Sequence, residues 1–379
     1  MSETLIHNAR IVLDDEIVDG HVLLQDGRIA ALGQGRSALP AALDWQGDWL
    51  LPGLVEVHTD NLERHVMPRP RVQLPMQGAL QSHDAEMASN GITTVLDAIG
   101  VGDPYGDGFR SRDQSDLLRA LDALDAAGAL RADHHIHVRC ELPASNARAL
   151  FEPFARHRRL RLLSLMDHTP GQRQWSDLEM ARTFYTGRKG WSDAKFAEEV
   201  RIAPERQKLH AQPNRAWFAD FARTHGIALA THDDTTAAHV DEAKALGAQM
   251  SEFPTTLVAA QRARALGLST VMGAPNVVRG GSHSGNASAL ALAREGLVDS
   301  LSSDYVPSSL LQAAWRLAQE GACGLPAAVR TVSHGPALAC GLPDRGRIAP
   351  GLRADLIRVR EVGSTPAVCE TWVQGRRVA

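Results

Sequence analysis

Between residues 54 and 303, short apolar runs alternate with amphipathic stretches. Leu54-Val55-Glu56-Val57 is such a run, punctuated at its start by Pro52-Gly53, and it predicts a buried strand. Residues 92–99, 135–142, 160–166, 227–231, 249–252, 268–273 and 301–303 read the same way. The stretches between them carry a helical period. In residues 114–127, Leu117, Leu118, Leu121 and Leu124 fall on one face, and residues 287–296 also predict a helix. Eight strands, mostly separated by helices, predict an α/β chain built as a parallel (β/α)8 TIM-type barrel. Residues 172–226 are long, mixed and amphipathic, and are expected to form helical insertions over the active site.

The two ends follow another rhythm. Residues 4–13 and 18–32 partly alternate polar and apolar positions, with Asp26-Gly27 as a hairpin signal. Gly346-Arg347-Ile348-Ala349-Pro350-Gly351 leads into a similar stretch at residues 354–359. The pattern predicts a small β-sandwich domain formed by both chain termini, residues 1–50 with 346–379. The barrel is expected to take residues 51–345.

At 379 residues the chain has the length of one decorated barrel, and 44% apolar residues allow a large core. No run of 18 apolar residues marks a membrane span. The N-terminal residues lack a basic region followed by an apolar stretch, so a secretory signal is not expected. Cys140, Cys323, Cys340 and Cys369 form no CxxC pair and read as reduced thiols of a cytoplasmic protein. A net charge of −4 argues against broad nucleic-acid binding. Only four of the 40 basic residues are lysines, Lys189, Lys195, Lys208 and Lys244. The rest are arginines, which grip phosphates with two parallel hydrogen bonds.

Candidate chemistry gathers at the predicted strand ends. His58 and Asp60 lie two residues apart, so on a strand they point the same way with Cα atoms roughly 6.5 Å apart. A small cation between them could take an imidazole nitrogen and a carboxylate oxygen. Glu141, His168, His232 and Asp304 stand at further strand ends. Two cations held close together need a bridging anion, and Glu141 is available because no lysine sits on a predicted barrel strand. His168 and His232 would complete a second metal position. Asp304 suits a residue that touches metal and takes a proton from water. Each has an ordinary reading too. Glu141 could cap the turn before Pro143, the histidines could sit in loops, and Asp304 could start a helix. Five strand ends bearing ligands together favour a site for one or two divalent ions, with Zn, Mn, Fe and Mg all open. His134, His135 and His137 read as core groups, whereas His65 and His283 fall in loops on the active face. The glycine-rich stretch Arg279-Gly280-Gly281-Ser282-His283-Ser284-Gly285-Asn286 could cradle an anion at a helix start, or be a plain turn.

This ligand set, with β segments at both ends, resembles the amidohydrolase superfamily. More narrowly, several motifs resemble the diphosphatase family of the carbon–phosphorus lyase pathway, and the likeness runs along the whole chain. They are His58-Thr59-Asp60-Asn61-Leu62-Glu63 with Pro68-Arg69-Pro70, Asp167-His168-Thr169-Pro170-Gly171-Gln172, His283-Ser284-Gly285-Asn286 and Ser303-Asp304-Tyr305. One departure from the superfamily is that its usual HxH is HxD here. That enriches the first metal position in oxygen and brings Mn, Fe and Mg into range. The resemblance implies metal-dependent hydrolysis of a ribose 1-methylphosphonate 5-triphosphate to the 5-phosphate and pyrophosphate, in phosphonate catabolism. It implies His58, Asp60, Glu141, His168, His232 and Asp304 as metal ligands, Asp304 also as the catalytic residue. Asn61, Arg139, Lys189, Arg279, Ser282, His283 and Asn286 would contact substrate. The partner is then a phosphorylated small molecule rather than nucleic acid or membrane, and a homo-oligomer is compatible with this reading. An amide or cyclic-amide hydrolase would need the same ligands. A non-catalytic scaffold would be expected to have lost several of them.

Overall fold

The computed structural model describes residues 3–37, 39–69, 72–105, 114–282 and 285–379. Its centre is an eight-stranded parallel sheet in sequence order: Leu54–Thr59 (here β6), Ile92–Val101 (β7), Asp133–Glu141 (β8), Leu160–Met166 (β9), Ala228–His232 (β10), Met250–Glu252 (β11), Ser269–Gly273 (β12) and Ser300–Ser302 (β13). Every residue of β6 and β7 is buried, as expected where helices cover the outer face and side chains fill the inner one. Val55, Val57, Leu96, Leu162, Ala230, Met250 and Val271 form an interior cluster, joined by Ala337, Cys340 and Leu342 from the C-terminal helical region.

The last strand closes on the first through side chains. Glu56 is fully buried, and its carboxylate accepts from Ser302 Oγ (2.8 Å) and from the backbone N–H groups of His58 (2.7 Å) and Ser303 (2.6 Å). Thr59 Oγ1 donates to the Asp304 carbonyl at 2.8 Å. These bonds fix the end of β6 against the end of β13, and so hold His58 and Asp60 next to Asp304.

Both termini combine into a second β unit, as the alternation predicts. Glu3–Val12 (β1), Ile17–Gln25 (β2), Arg28–Gln34 (β3), Leu43–Asp44 (β4) and Trp49–Pro52 (β5) join Leu356–Val362 (β14), Thr365–Val373 (β15) and Arg376–Arg377 (β16). The strand path runs β16-β15-β14-β5-β1-β2-β3, with β4 beside β1. Ile29 of β3 and Trp372 of β15 pack into one core with Ile6, Val22, Leu24 and Leu356, so the path folds over on itself. Asp133 of the barrel accepts from Arg345 (2.7 Å) and Arg159 (3.1 Å), and ties the two units by also accepting from Arg353 (3.2 Å).

The stretch 172–226 is helical over Leu178–Lys189 and Asp193–His225. Asn214 on the second helix donates to the carbonyls of Leu142 and Ala144, and Gln207 to Asp167 at 2.7 Å. The insertion is thereby fastened to the loops that leave β8 and β9.

Candidate active site

A cavity of about 400 Å³ opens at the carboxyl ends of the barrel strands, where barrel enzymes keep their chemistry. His58, Asp60, Glu141, His168, His232 and Asp304 all line it. His168 donates its backbone N–H to Glu141 Oε1 (2.9 Å), and its Nδ1 lies 2.5 Å from Glu141 Oε2. His58 and His232 stack, with ring centroids 5.3 Å apart. Arg139 points up from β8 with its guanidinium 3.8 Å from the Asp60 carboxylate.

Several strand ends are turned sharply. Asp233, Phe253 and Asp304 each follow a barrel strand and adopt positive φ, 57°, 52° and 55°. Such a backbone is costly for a side-chain-bearing residue, least so for Asp. The turn after β10 brings consecutive residues to one place: Asp233 Oδ2 lies 3.5 Å from His232 Nε2 and 4.0 Å from His168 Nε2.

The electrostatics show crowding of negative groups. Burial pushes the Asp304 carboxyl up to about 7, and the neighbouring Asp60 carboxylate adds to the shift. Burial likewise raises Asp233 to about 6, against the pull of His168 and Arg173. Burial holds the His232 imidazole well below its ordinary value, so it is neutral and ready to ligate. Carboxylates that resist ionisation beside neutral imidazoles form a donor set that divalent cations would relieve. Ligand atoms of His168, His232 and Asp233 lie within 4.8 Å of one another, as do those of His58, His232 and Glu252. The residues therefore fit a metal centre.

No family model matches the chain. It is 46% identical over 378 residues to the alpha-D-ribose 1-methylphosphonate 5-triphosphate diphosphatase of Escherichia coli (strain K12), covering 99% of this chain and 100% of that protein. The chain belongs to this diphosphatase family. The diphosphatase barrel is shared more widely. Dihydropyrimidinase from Brevibacillus agri superposes with a TM-score of 0.65 at 12% identity, covering 99% of this chain and 95% of that one. N-isopropylammelide isopropylaminohydrolase from Burkholderia multivorans gives 0.65 at 19%, covering 100% and 98%. At such identities the likeness is one of fold.

Among the residues expected to touch substrate, Arg139, Lys189, Arg279, Ser282 and Asn286 line the cavity. Lys189 Nζ also lies 5.0 Å from the Tyr105 ring centroid and 5.5 Å from that of Tyr185, within an aromatic wall completed by Trp175 and Phe184. His283 lies outside the described residues. Asn61, next to Asp60, is buried and is not among the residues that line the cavity; its Nδ2 donates to Glu86 (2.9 Å) and to His83 Nδ1 (3.0 Å). His65 joins the same group, 2.8 Å from Glu86.

The stretch after β12 also differs from the expected strand–loop–helix. A helix, Ala274–Arg279, comes first and ends at Gly280 with φ 84°. The next helix, Ala289–Arg294, has its leading N–H groups already engaged, Ala289 by Asn276 Oδ1 (3.0 Å) and Ala291 by Ser288 Oγ (3.3 Å). This stretch brings Arg279, Ser282 and Asn286 to the cavity, together with Gly273, Pro275 and Asn276 at the start of the first helix.

Asp233 and Glu252 were not expected in the site. Both end or follow barrel strands, as the expected ligands do, and that position was the available signal.

Proposed function

We propose that this protein hydrolyses α-D-ribose 1-methylphosphonate 5-triphosphate to α-D-ribose 1-methylphosphonate 5-phosphate and pyrophosphate, with one or two divalent metal ions bound. The observation that carries this is the 46% identity to the Escherichia coli diphosphatase across 99% of the chain. The cavity suits the chemistry, since imidazoles and carboxylates share it with Arg139, Lys189 and Arg279.

His58, Asp60 and Asp304 would hold one ion, and His168 and His232 the other, with Glu141 between. Bound ions would supply an acidified water and neutralise charge at phosphorus. The chain's own groups do the rest. Asp304 accepts a proton from the attacking water. Arg139, 3.8 Å from Asp60, offsets the charge of that carboxylate within the cavity. Arg279 and Lys189 meet the negative oxygens of the triphosphate, where charge-assisted hydrogen bonds are strongest. Trp175, Tyr185 and the other aromatic groups of the insertion keep the wall dry, which strengthens these attractions. A bond forms between water oxygen and phosphorus, the bridge between the first and second phosphoryl groups breaks, and pyrophosphate leaves.

No described helix is long and apolar enough to cross a membrane, and we place the reaction in the cytoplasm, in phosphonate catabolism. The test is a substrate comparison with metal-loaded protein, setting the triphosphate beside hydantoin and dihydrouracil. Turnover of the triphosphate alone is expected. Turnover of a cyclic amide without the triphosphate would move the enzyme to another substrate class.

A further inference from the structure

Glu252 ends β11 and is fully buried, behind the cavity floor that His58 and His232 line. Its Oε1 lies 3.1 Å from His58 Nδ1, and its Oε2 lies 3.3 Å from His232 Nδ1. Ser164 Oγ donates to the same Oε2 at 2.6 Å. An ionised carboxylate only accepts, so each Nδ1 must carry its hydrogen. Each Nε2 is then left with its lone pair. The rings have little freedom to turn. They stack on each other at 22°, and the Phe253 ring meets both edge-on, with centroids 5.0 Å from His58 and 5.2 Å from His232.

We propose that Glu252 is a positioning residue that sets the tautomer and orientation of His58 and His232 together, so that both present Nε2 to the metal positions. The inference rests on the metal-dependent reading above. One carboxylate thereby links two imidazoles that would serve different ions. It backs the ligands rather than joining them, because it does not line the cavity and both its oxygens already have donors, His58 at Oε1 and His232 with Ser164 at Oε2. Partners of this kind fix ligand basicity and typically change metal affinity 10- to 100-fold.

Glu252→Gln tests it site by site. An amide has one acceptor. That oxygen belongs at the Oε2 place, where the His232 and Ser164 donors converge. Its NH2 then faces His58 Nδ1 and forces that imidazole into the other tautomer, which removes Nε2 as a ligand. Long-range 1H–15N spectra of the parent should show Nδ1–H at both histidines. In Glu252→Gln only His58 should switch. Titration with Co2+ should show the ion held through His58 weakened about 10- to 100-fold, with the other changed much less. Nε2–H at either histidine in the parent overturns the proposal even if the variant does not fold. So does a variant that binds cobalt like the parent. A parent that binds no cobalt at all would instead defeat the metal reading itself, and this inference with it.

Discussion

Asp304 combines a left-handed backbone, φ 55°, with a carboxyl raised to about 7. Asn tolerates that backbone at least as well as Asp, so Asp304→Asn should fold without added strain. It cannot take a proton as a carboxylate does, and turnover should fall roughly 10²- to 10⁴-fold with melting temperature near the parent's. Steady-state rates and a thermal melt check this together, and near-normal turnover would remove Asp304 from the chemistry. Glu141→Gln should act differently. The amide keeps shape but loses the charge suited to two cations, so metal content measured by elemental analysis should drop before folding does. Ligand-type residues at strand ends were legible because apolar runs stop where they begin. Glu252 ends a predicted strand as they do, but its place beside His58 and His232 depends on how distant strands pack, which leaves no spacing in the sequence. The place of Asn61 beside His83 and Glu86 was not legible either, because both lie on a helix whose packing only the fold supplies.

Elements decide how the cavity wall is made. β11 and β13 have three residues each, Met-Ser-Glu and Ser-Leu-Ser, and were legible mainly from their place in the strand–helix alternation. The helix Ala274–Arg279 was not, because it follows β12 with no intervening turn signal; Pro275 in its first turn is the cue in hindsight. Its consequence is that Arg279 reaches the cavity from a helix end. Arg279→Ala should weaken binding of the triphosphate and of pyrophosphate about ten- to hundredfold, the worth of one charge-assisted hydrogen bond. Bound metal should not change. Isothermal titration with pyrophosphate reads this directly, and parent-like affinity would take Arg279 out of phosphate binding. The insertion 172–226 was legible as helix from its period. Its grip on the strand-end loops, through Asn214 and Gln207, needed the structure.

Across the whole molecule, barrel and helices are joined by a buried polar chain beside the site. Asn61 donates to His83, whose Nε2 lies 2.7 Å from Asp97. His134 lies between Asp97 (2.8 Å) and Asp84 (3.3 Å). Burial would lower the His134 pKa, but Asp97 and Asp84 outweigh it and hold the imidazole at about 10. Asp97 and Asp84 stay below their ordinary 3.8 despite burial, because His134 and other partners favour the anions. The native state thus holds a proton on His134 that the unfolded chain releases near 6.5. Its stabilisation is complete below that pH and is lost as pH rises through about 10. The aspartates contribute above 3.8 and lose their effect as pH falls below it. Urea unfolding should therefore be hardest between about pH 4 and 6.5, and His134→Gln should flatten the alkaline decline. An unchanged alkaline slope would place that proton elsewhere. The barrel and its second β unit were legible as patterns of different period, whereas the Asp133 tie to Arg345 and Arg353 spans more than 200 residues and leaves no local trace. The central claim is about one bond, and phosphorus NMR of metal-loaded protein with α-D-ribose 1-methylphosphonate 5-triphosphate tests it most directly. The account predicts pyrophosphate and the 5-phosphate appearing together in equal amounts, with the phosphonate signal retained. Release of orthophosphate with a diphosphate left behind, or no turnover by metal-loaded protein, would contradict it.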